Sequence, residues 1–265
     1  MKLLAFETAT EACSVAVWID GDVRERFEIA PRRHAELALP WAEQLLADAG
    51  IAKAQLDAIA VGRGPGAFTG VRLAIALAQG IALALDRPVL PVSTLAALAM
   101  RADAVSANAA SPLSDDPRPL PSAGGGWGEG AVASRILAAI DARMGEVYSA
   151  AFLRDGDGIR ALSAETVGAP DAVALPDDHD GHDGHGWIGI GSGFAAADAA
   201  LQRQHRGRLR IVDATALPHA ADVARLGAGA FARGEALPAD RLEPAYLRNH
   251  VALTLIEQQA ARAAR

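Results

Sequence analysis

Residues Gly62–Arg72 of this chain read GRGPGAFTGVR, which is the most informative stretch of its sequence. Its four glycines and one proline exclude the interior of a helix or strand, because glycine favours turns and proline fixes one backbone dihedral. The stretch follows an apolar strand predicted at Leu56–Val61. It leads into a long helix predicted at Thr69–Leu85, with Thr69 as the N-cap.

The order of strand, glycine turn and helix N-terminus can present backbone N–H groups to an anion such as a phosphate. The candidate residues are Gly64, Gly66, Thr69 and Gly70. No lysine follows the glycines at the place where a Walker A loop carries one. A tight turn without a ligand is the alternative, and it is favoured for a glycine loop considered by itself.

The composition indicates a globular protein. Of its 265 residues 51% are hydrophobic and 22% are charged, which allows two domains of ordinary size or one large domain. The formal charge of −7 argues against broad attraction to a nucleic-acid backbone. The single cysteine, Cys13, excludes an internal disulfide framework and suits a reducing compartment. No uninterrupted apolar run reaches the roughly 18 residues of a membrane span, and no signal-peptide pattern begins the chain, so we expect a cytoplasmic protein with no membrane contact.

Strands and helices alternate in a pattern that begins twice. In the first part, strands are predicted at 2–8, 12–19, 23–29, 56–61 and 88–91, and helices at 34–49, at 69–85 and from Leu95 with Thr94 as the cap. In the second part, strands are predicted at 136–142, 146–153, 159–165, 187–190 and 209–212, and helices at 194–204 and 220–233. The repeat predicts an α/β fold of duplicated mixed-sheet domains.

The predicted domains are an N-terminal half at 1–101 and a C-terminal half at 134–265, which ends in a helix. A flexible linker or insert rich in Ala, Ser, Pro and Gly joins them at 102–133. A surface loop at 176–186 alternates Asp, His and Gly. We expect both segments to lie outside the ordered core.

Five motifs resemble those of the TsaB/YeaZ family, and they occur in the family's order. The glycine stretch resembles the family's GPGSFTG(L/V)R, with Ala67 where serine is usual. The other four are LLAFETAT at 3–10, VSTL at 92–95, DARMGEVY at 141–148 and PAYLR at 244–248. The resemblance covers nearly the whole chain except the two insert-like segments.

The resemblance implies an actin/hexokinase/Hsp70-like (ASKHA) fold and a role in making N6-threonylcarbamoyladenosine on tRNA. It implies a non-catalytic dimerisation subunit without a cofactor, which forms a homodimer when alone. Its partners would be TsaD, the paralogue that holds metal and transfers the threonylcarbamoyl group, and the ATPase TsaE. The tRNA would be contacted only through the complex. An active ATPase or kinase of the same fold is the alternative, and a metalloprotease is a third.

Two loops are candidates for a degenerate nucleotide site. Glu7, Thr8 and Thr10 end the first strand, where ATPases of this fold keep an aspartate, but the turn lacks the glycines of a phosphate hairpin. The alternative is that these side chains satisfy N–H groups of their own turn. Gly191 and Gly193 precede a helix and could contact an adenosine phosphate in an active member of the fold, or simply form a turn.

The sequence supports neither a catalytic nor a metal site. His179, His182 and His185 recur every three residues, but the glycine-rich loop around them offers no rigid second shell. The seven histidines contain no HxxxH spacing, by which the catalytic paralogues of the resembled family hold their metal. Asp141, Arg143 and Glu146 are expected to form ion pairs that brace a turn, or to contact a partner.

The partner surface is predicted on the two N-terminal helices. The helix at 69–85 is apolar on every side, although a helix on a sheet needs only one buried stripe. We therefore expect an exposed apolar patch, with Ile75 facing outward, that pairs with the same helices of a paralogue or of a second copy. The predicted interface residues are His34, Leu37, Trp41, Leu45, Val71, Arg72, Ile75 and Gln79.

Overall fold

Two mixed β-sheets form the framework of the protein in a computed structural model, which describes residues 1–102, 134–155, 158–176 and 186–248. They confirm the predicted α/β class. The three loop histidines, the C-terminal helix and nearly all of the predicted linker at 102–133 lie outside the described residues.

The first sheet has the strand order β3-β2-β1-β4-β5. Its strands are β1 (Lys2–Glu7), β2 (Ala12–Ile19), β3 (Asp22–Ile29), β4 (Ala58–Gly62) and β5 (Val89–Val92). The first three strands pair antiparallel, and β4 and β5 run parallel to β1. The carboxyl ends of β1, β4 and β5 therefore meet at one edge, which is where the glycine stretch lies.

Helices cover both faces of this sheet because its strand residues alternate between the faces. Leu4 and Phe6 pack under α1 (His34–Asp48) and α2 (Phe68–Leu85). Leu3 and Ala5 point the other way and pack under α5 (Ala220–Ala232). The first sheet is therefore the middle layer of three.

The second sheet has the order β11-β10-β6-β7-β8, with β9 pairing to β7. Its strands are β6 (Ser134–Arg143), β7 (Glu146–Asp155), β8 (Gly158–Ala161), β9 (Thr166–Gly168), β10 (Trp187–Ile190) and β11 (Leu209–Asp213). The strand predicted at 159–165 is in fact the shorter β8, and β9 was not predicted. The helices α3 (Thr94–Ala99) and α4 (Ala196–Gln204) pack with this sheet, and α4 contains a left-handed stretch at 197–199.

The last described helix crosses back to the first half. The strands of the two sheets divide at the predicted 102–133 segment, but α5, which we placed in the C-terminal half, packs on the first sheet. The sheet face beneath it carries small residues, including Ala16 and Ala60, so the helix can approach closely. An ideal Cβ on Gly227 of α5 would lie 2.8 Å from the Ala60 Cβ, which shows how close that approach is.

Two predicted helix caps are wrong. Helix α2 begins at Phe68, after Ala67, so Thr69 lies inside its first turn. Helix α3 begins at Thr94, and its cap is Ser93, whose side chain accepts a hydrogen bond from the Ala96 N–H at 3.1 Å. The hydroxyl of Thr94 instead donates a hydrogen bond to the buried carboxylate of Glu7.

Candidate functional site

The glycine stretch is packed against the turn between β1 and β2. An ideal Cβ on Gly70 would lie 1.9 Å from the Thr8 carbonyl oxygen, and one on Gly66 would lie 2.4 Å from the Ala9 oxygen. The Ala67 N–H donates to that Ala9 oxygen at 2.7 Å, and the Thr8 hydroxyl donates to the Gly70 carbonyl at 2.7 Å. These glycines therefore allow two backbones to touch, as the ligand-free alternative requires.

Glu7 is buried at the centre of this contact. Its carboxylate accepts hydrogen bonds from the Ala9 N–H at 2.7 Å and from the Thr94 hydroxyl at 3.0 Å. An ideal Cβ on Gly62 would lie 2.0 Å from the carboxylate, so glycine makes room for it there. Burial raises the pKa of Glu7 to about 7, although the hydrogen bonds from Ala9, Thr94 and Thr8 act in the opposite direction.

The Glu7 carboxyl makes folding stability depend on pH. Because its pKa in the folded protein lies above the ordinary value of 4.5, the folded state binds the proton more tightly, and stability falls as pH rises from 4.5 to about 7. The substitution Glu7→Gln removes the buried negative charge. It also replaces one of the two hydrogen-bond-accepting oxygens with an NH2 group. We expect the variant to be more stable than the original by about 2 kcal/mol at about pH 8, and this gain to shrink towards about pH 5.

Chemical denaturation at both pH values measures this difference. The matched control is Glu11→Gln, because Glu11 is an exposed residue of the same turn. This substitution should leave the free energy of unfolding unchanged at both pH values. A Glu7→Gln gain of the same size at both pH values would contradict a titrating buried carboxyl.

Thr10 completes the turn. Its hydroxyl accepts a hydrogen bond from the Ala12 N–H at 3.4 Å, and its carbonyl oxygen lies 3.0 Å from the His34 Nε2 atom. The polar groups of Glu7, Thr8 and Thr10 are thus bonded within the turn or to elements packed on it. His34 links the start of α1 to this turn.

The second glycine pair is also packed on backbone. Gly191 has a φ of 105°, and an ideal Cβ there would lie 2.4 Å from the Ala139 carbonyl oxygen. A Cβ on Gly193 would lie 2.7 Å from the Ala139 Cβ, and the Ser192 hydroxyl accepts from the Asp141 N–H at 3.1 Å. This glycine turn fastens the short helix after β10 to β6.

A cavity of about 620 Å³ lies between the two halves and is lined by residues of both. Its polar lining includes Arg63, Ser93 and Glu165, and Arg63 pairs with Glu165 at 3.3 Å. The Arg63 carbonyl also accepts from the Ala245 N–H at 2.8 Å. Arg63, the second residue of the glycine stretch, thus joins the first half to the second half and to the segment at 244–248.

The DARMGEVY motif forms the β6–β7 hairpin. Arg143 pairs with Asp141 at 2.9 Å, as expected for a braced turn. Glu146 pairs instead with Arg248, whose guanidinium also donates to the Ala142 carbonyl at 3.2 Å. The DARMGEVY and PAYLR motifs, far apart in sequence, are therefore in contact.

One polar cluster was not predicted. Glu25 of β3 accepts hydrogen bonds from the Ser14 hydroxyl at 2.7 Å and from the Ala221 N–H at 3.0 Å, and lies 2.9 Å from the His219 Nδ1 atom. The Ala220 N–H donates to the Ser14 hydroxyl at 2.8 Å, so both side chains cap α5. Burial acts to raise the pKa of Glu25, but the bonds from His219, Ala221 and Ser14 outweigh it and lower that pKa.

The geometry of this cluster indicates a structural role and not a hydrolytic one. In a hydrolytic triad the histidine lies between the serine and the acid, whereas here Ser14 and His219 both bind the acid. Ser14 is fully buried. A polar serine within the apolar alternation of β2 was the signal in the sequence that a buried polar partner exists.

The face of α2 that points outward differs from the predicted one. Ile75 is only 7% exposed, and Val71 lies beside it in the core against the first sheet. Leu45 of α1 is buried in the same core, while Leu37 and Trp41 are partly buried against it. The expectation that Ile75 faces outward is therefore wrong.

Most exposed residues of α2 recur every three or four positions along the helix. We call Thr69, Arg72, Ala76, Gly80 and Leu83 the outer stripe of α2; Phe68 and Ala84 of the same helix are also exposed. Arg72 is the one predicted interface residue that belongs to it. Gln79 lies beside the stripe, and its amide donates to the carbonyls of Ala239 at 3.0 Å and Leu242 at 3.3 Å.

Among the described residues, α2 is the one helix long and apolar enough to cross a membrane by length and composition alone. A core helix of a globular protein passes the same test, and the inner face of α2 packs in the core of the first sheet. Its outer stripe adds exposed apolar surface, with Leu83 68% exposed.

Known proteins match this chain over most of its length. The chain is similar to the tRNA threonylcarbamoyladenosine biosynthesis protein TsaB of Escherichia coli K12, with 38% identity over 95% of this chain and 96% of the relative. The protein of the same name from Haemophilus influenzae is 32% identical over 95% of each chain. A family model described as "TsaD: tRNA N6-adenosine threonylcarbamoyltransferase" matches residues 28–118.

A solved structure is similar as well. YeaZ from Pseudomonas aeruginosa superposes with a TM-score of 0.74 at 40% identity, covering 93% of this chain and 99% of that one. These likenesses confirm the predicted ASKHA-like fold with its two mixed sheets.

Proposed function

Since the chain belongs to the TsaB/YeaZ family of tRNA threonylcarbamoyladenosine biosynthesis proteins, we propose that it is the non-catalytic dimerisation subunit of the modifying complex. It pairs with the TsaD paralogue, which carries out the transfer, and the pair recruits the ATPase TsaE. The chain works in the cytoplasm, and tRNA reaches it only through the complex.

The observation that carries this proposal is the filling of both glycine loops by the protein's own backbone. Gly66 and Gly70 face the carbonyls of Ala9 and Thr8, and Gly191 faces that of Ala139. In a nucleotide-binding member of the fold such loops approach a phosphate. Here these glycines are packed against the backbone of the same chain, which supports a scaffold rather than an active ATPase or kinase.

The outer stripe of α2 supplies the association surface. Its residues from Ala76 to Leu83 are small or apolar and exposed, and exposed apolar surface is usually covered by a partner. A paralogue built on the same half-domain presents the equivalent helices, so one surface serves the heterodimer and, in the isolated chain, a homodimer. Helix α1 is in contact with α2, and its residues Leu37 and Trp41 remain partly exposed, so they can add to this surface.

Co-purification tests this function. The tagged chain should retain the TsaD paralogue of the same organism at equal stoichiometry, and TsaE should be retained only when both are present. Retention of neither protein, together with nucleotide turnover by the isolated chain, would favour the active ATPase instead.

A further inference from the structure

A second exposed surface crosses both halves of the molecule. At the tip of the β6–β7 hairpin, Met144 is 87% exposed. Arg248 reaches its sulfur at 3.9 Å, and two residues earlier Tyr246 hydrogen-bonds to Arg72 at the start of α2, where Phe68 is also exposed. We call Phe68, Arg72, Met144, Tyr246 and Arg248 the crossing patch.

The hairpin tip adopts a conformation that does not favour methionine. Arg143, Met144 and Gly145 all have positive φ angles, of 64°, 58° and 77°. A two-residue turn with positive φ at both centres favours Asn-Gly or Asp-Gly. Met144 therefore departs from the local preference, and its exposed side chain gains little packing within the chain in return. Such departures are characteristic of functional positions.

The tip is held in place by its own motif. The Asp141 carboxylate accepts from the Arg143 N–H at 2.7 Å and pairs with its guanidinium at 2.9 Å. On the other strand of the hairpin, β7, Glu146 forms an ion pair with Arg248. A braced tip loses little conformational entropy when a partner binds, so the apolar side chain at its end is preorganised for docking.

The rest of the patch has the chemistry of a protein interface. The Arg72 guanidinium lies 3.7 Å from the centroid of the Phe68 ring and donates to the Tyr246 hydroxyl at 2.8 Å. Within the described ranges, no carboxylate pairs with Arg72. Methionine, arginine and aromatic residues are enriched at interface cores. The overall charge of −7 disfavours a nucleic acid as the occupant.

We propose that the crossing patch is a second part of the surface that receives the catalytic paralogue. Met144 enters an apolar pocket of that partner, and a partner carboxylate pairs with Arg72. The inference rests on the proposed function, because the occupant is the same protein. Continuity supports this occupant, since Arg72 belongs both to the outer stripe of α2 and to the crossing patch.

The substitution Met144→Asn separates binding from folding. Asn-Gly suits the turn better than Met-Gly, so the melting temperature should stay the same or rise. Affinity for the paralogue, measured by titration calorimetry with the purified protein of the same organism, should fall at least about tenfold. The control Met144→Leu keeps an apolar side chain and should bind within about threefold of the original chain.

The other possible outcomes contradict either the role of the crossing patch or the proposed function as a whole. If the original chain binds the paralogue and Met144→Asn binds it equally well, the crossing patch is not part of the interface, while the proposed function stands. If the original chain does not bind the paralogue, both are wrong. A variant that loses only tRNA retention by the complex, with unchanged affinity for the paralogue, would place RNA on the patch and overturn the inference.

Discussion

Gly70→Ala should destabilise the protein by about 3 kcal/mol, because overpacking against backbone cannot be relieved by a rotamer change. The new methyl group would lie 1.9 Å from the Thr8 carbonyl oxygen. Either α2 or the β1–β2 turn must move, and with it the Thr8 hydroxyl bond to the Gly70 carbonyl. Both are central to the first half, so equilibrium unfolding should show the loss directly.

Gly80→Ala is the matched control on the same helix. An ideal Cβ at Gly80 meets no atom within 4 Å, so the change should stabilise the monomer by about 0.5–1 kcal/mol through helix propensity. Opposite signs for the two substitutions are the expected pattern. If Gly70→Ala were as stable as the original chain, the loop would not be closed on the turn.

Ala76→Asp should weaken association with the paralogue about a hundredfold or more, because it places an unpaired carboxylate at the middle of the outer stripe. Ala76 is exposed in the single chain, so the variant should fold normally. Sedimentation or gel filtration of the folded variant, alone and with the paralogue, measures both associations.

Two further substitutions make the result specific. Ala232→Asp introduces the same charge at an exposed position of α5, on the opposite face of the first sheet, and should leave association unchanged. Ile75→Asp buries the charge in the protein's own core and should prevent folding instead. An Ala76→Asp variant that associates normally would place the interface elsewhere.

Most strands and the turn formed by the glycine stretch could be predicted from the sequence, because turn residues and alternating apolar residues are local signals. The rotation of α2 about its own axis, which decides the face that is buried, could not be predicted in this way. A helix with apolar residues on every side carries no stripe that marks its inner face, so Ile75 was placed on the wrong side.

Long-range partners explain the other differences. Helix α5 crosses to the first sheet because Ser14 and Glu25 cap its N-terminus and the small residues of that sheet admit it. Nothing local to residues 220–232 encodes this. The cap of α3 was misassigned for a related reason: Ser93 and Thr94 are both acceptable caps, and only the buried Glu7 carboxylate decides which hydroxyl is free for that role.

We propose that this chain supports catalysis without performing it. The most direct test incubates the pure protein with unmodified tRNA and threonylcarbamoyl-adenylate, and then adds the TsaD paralogue with TsaE and ATP. Modified adenosine should be absent in the first mixture and appear in the second, and omission of this chain from the second should abolish it. Modified adenosine formed by this chain alone would show that it is itself a catalyst.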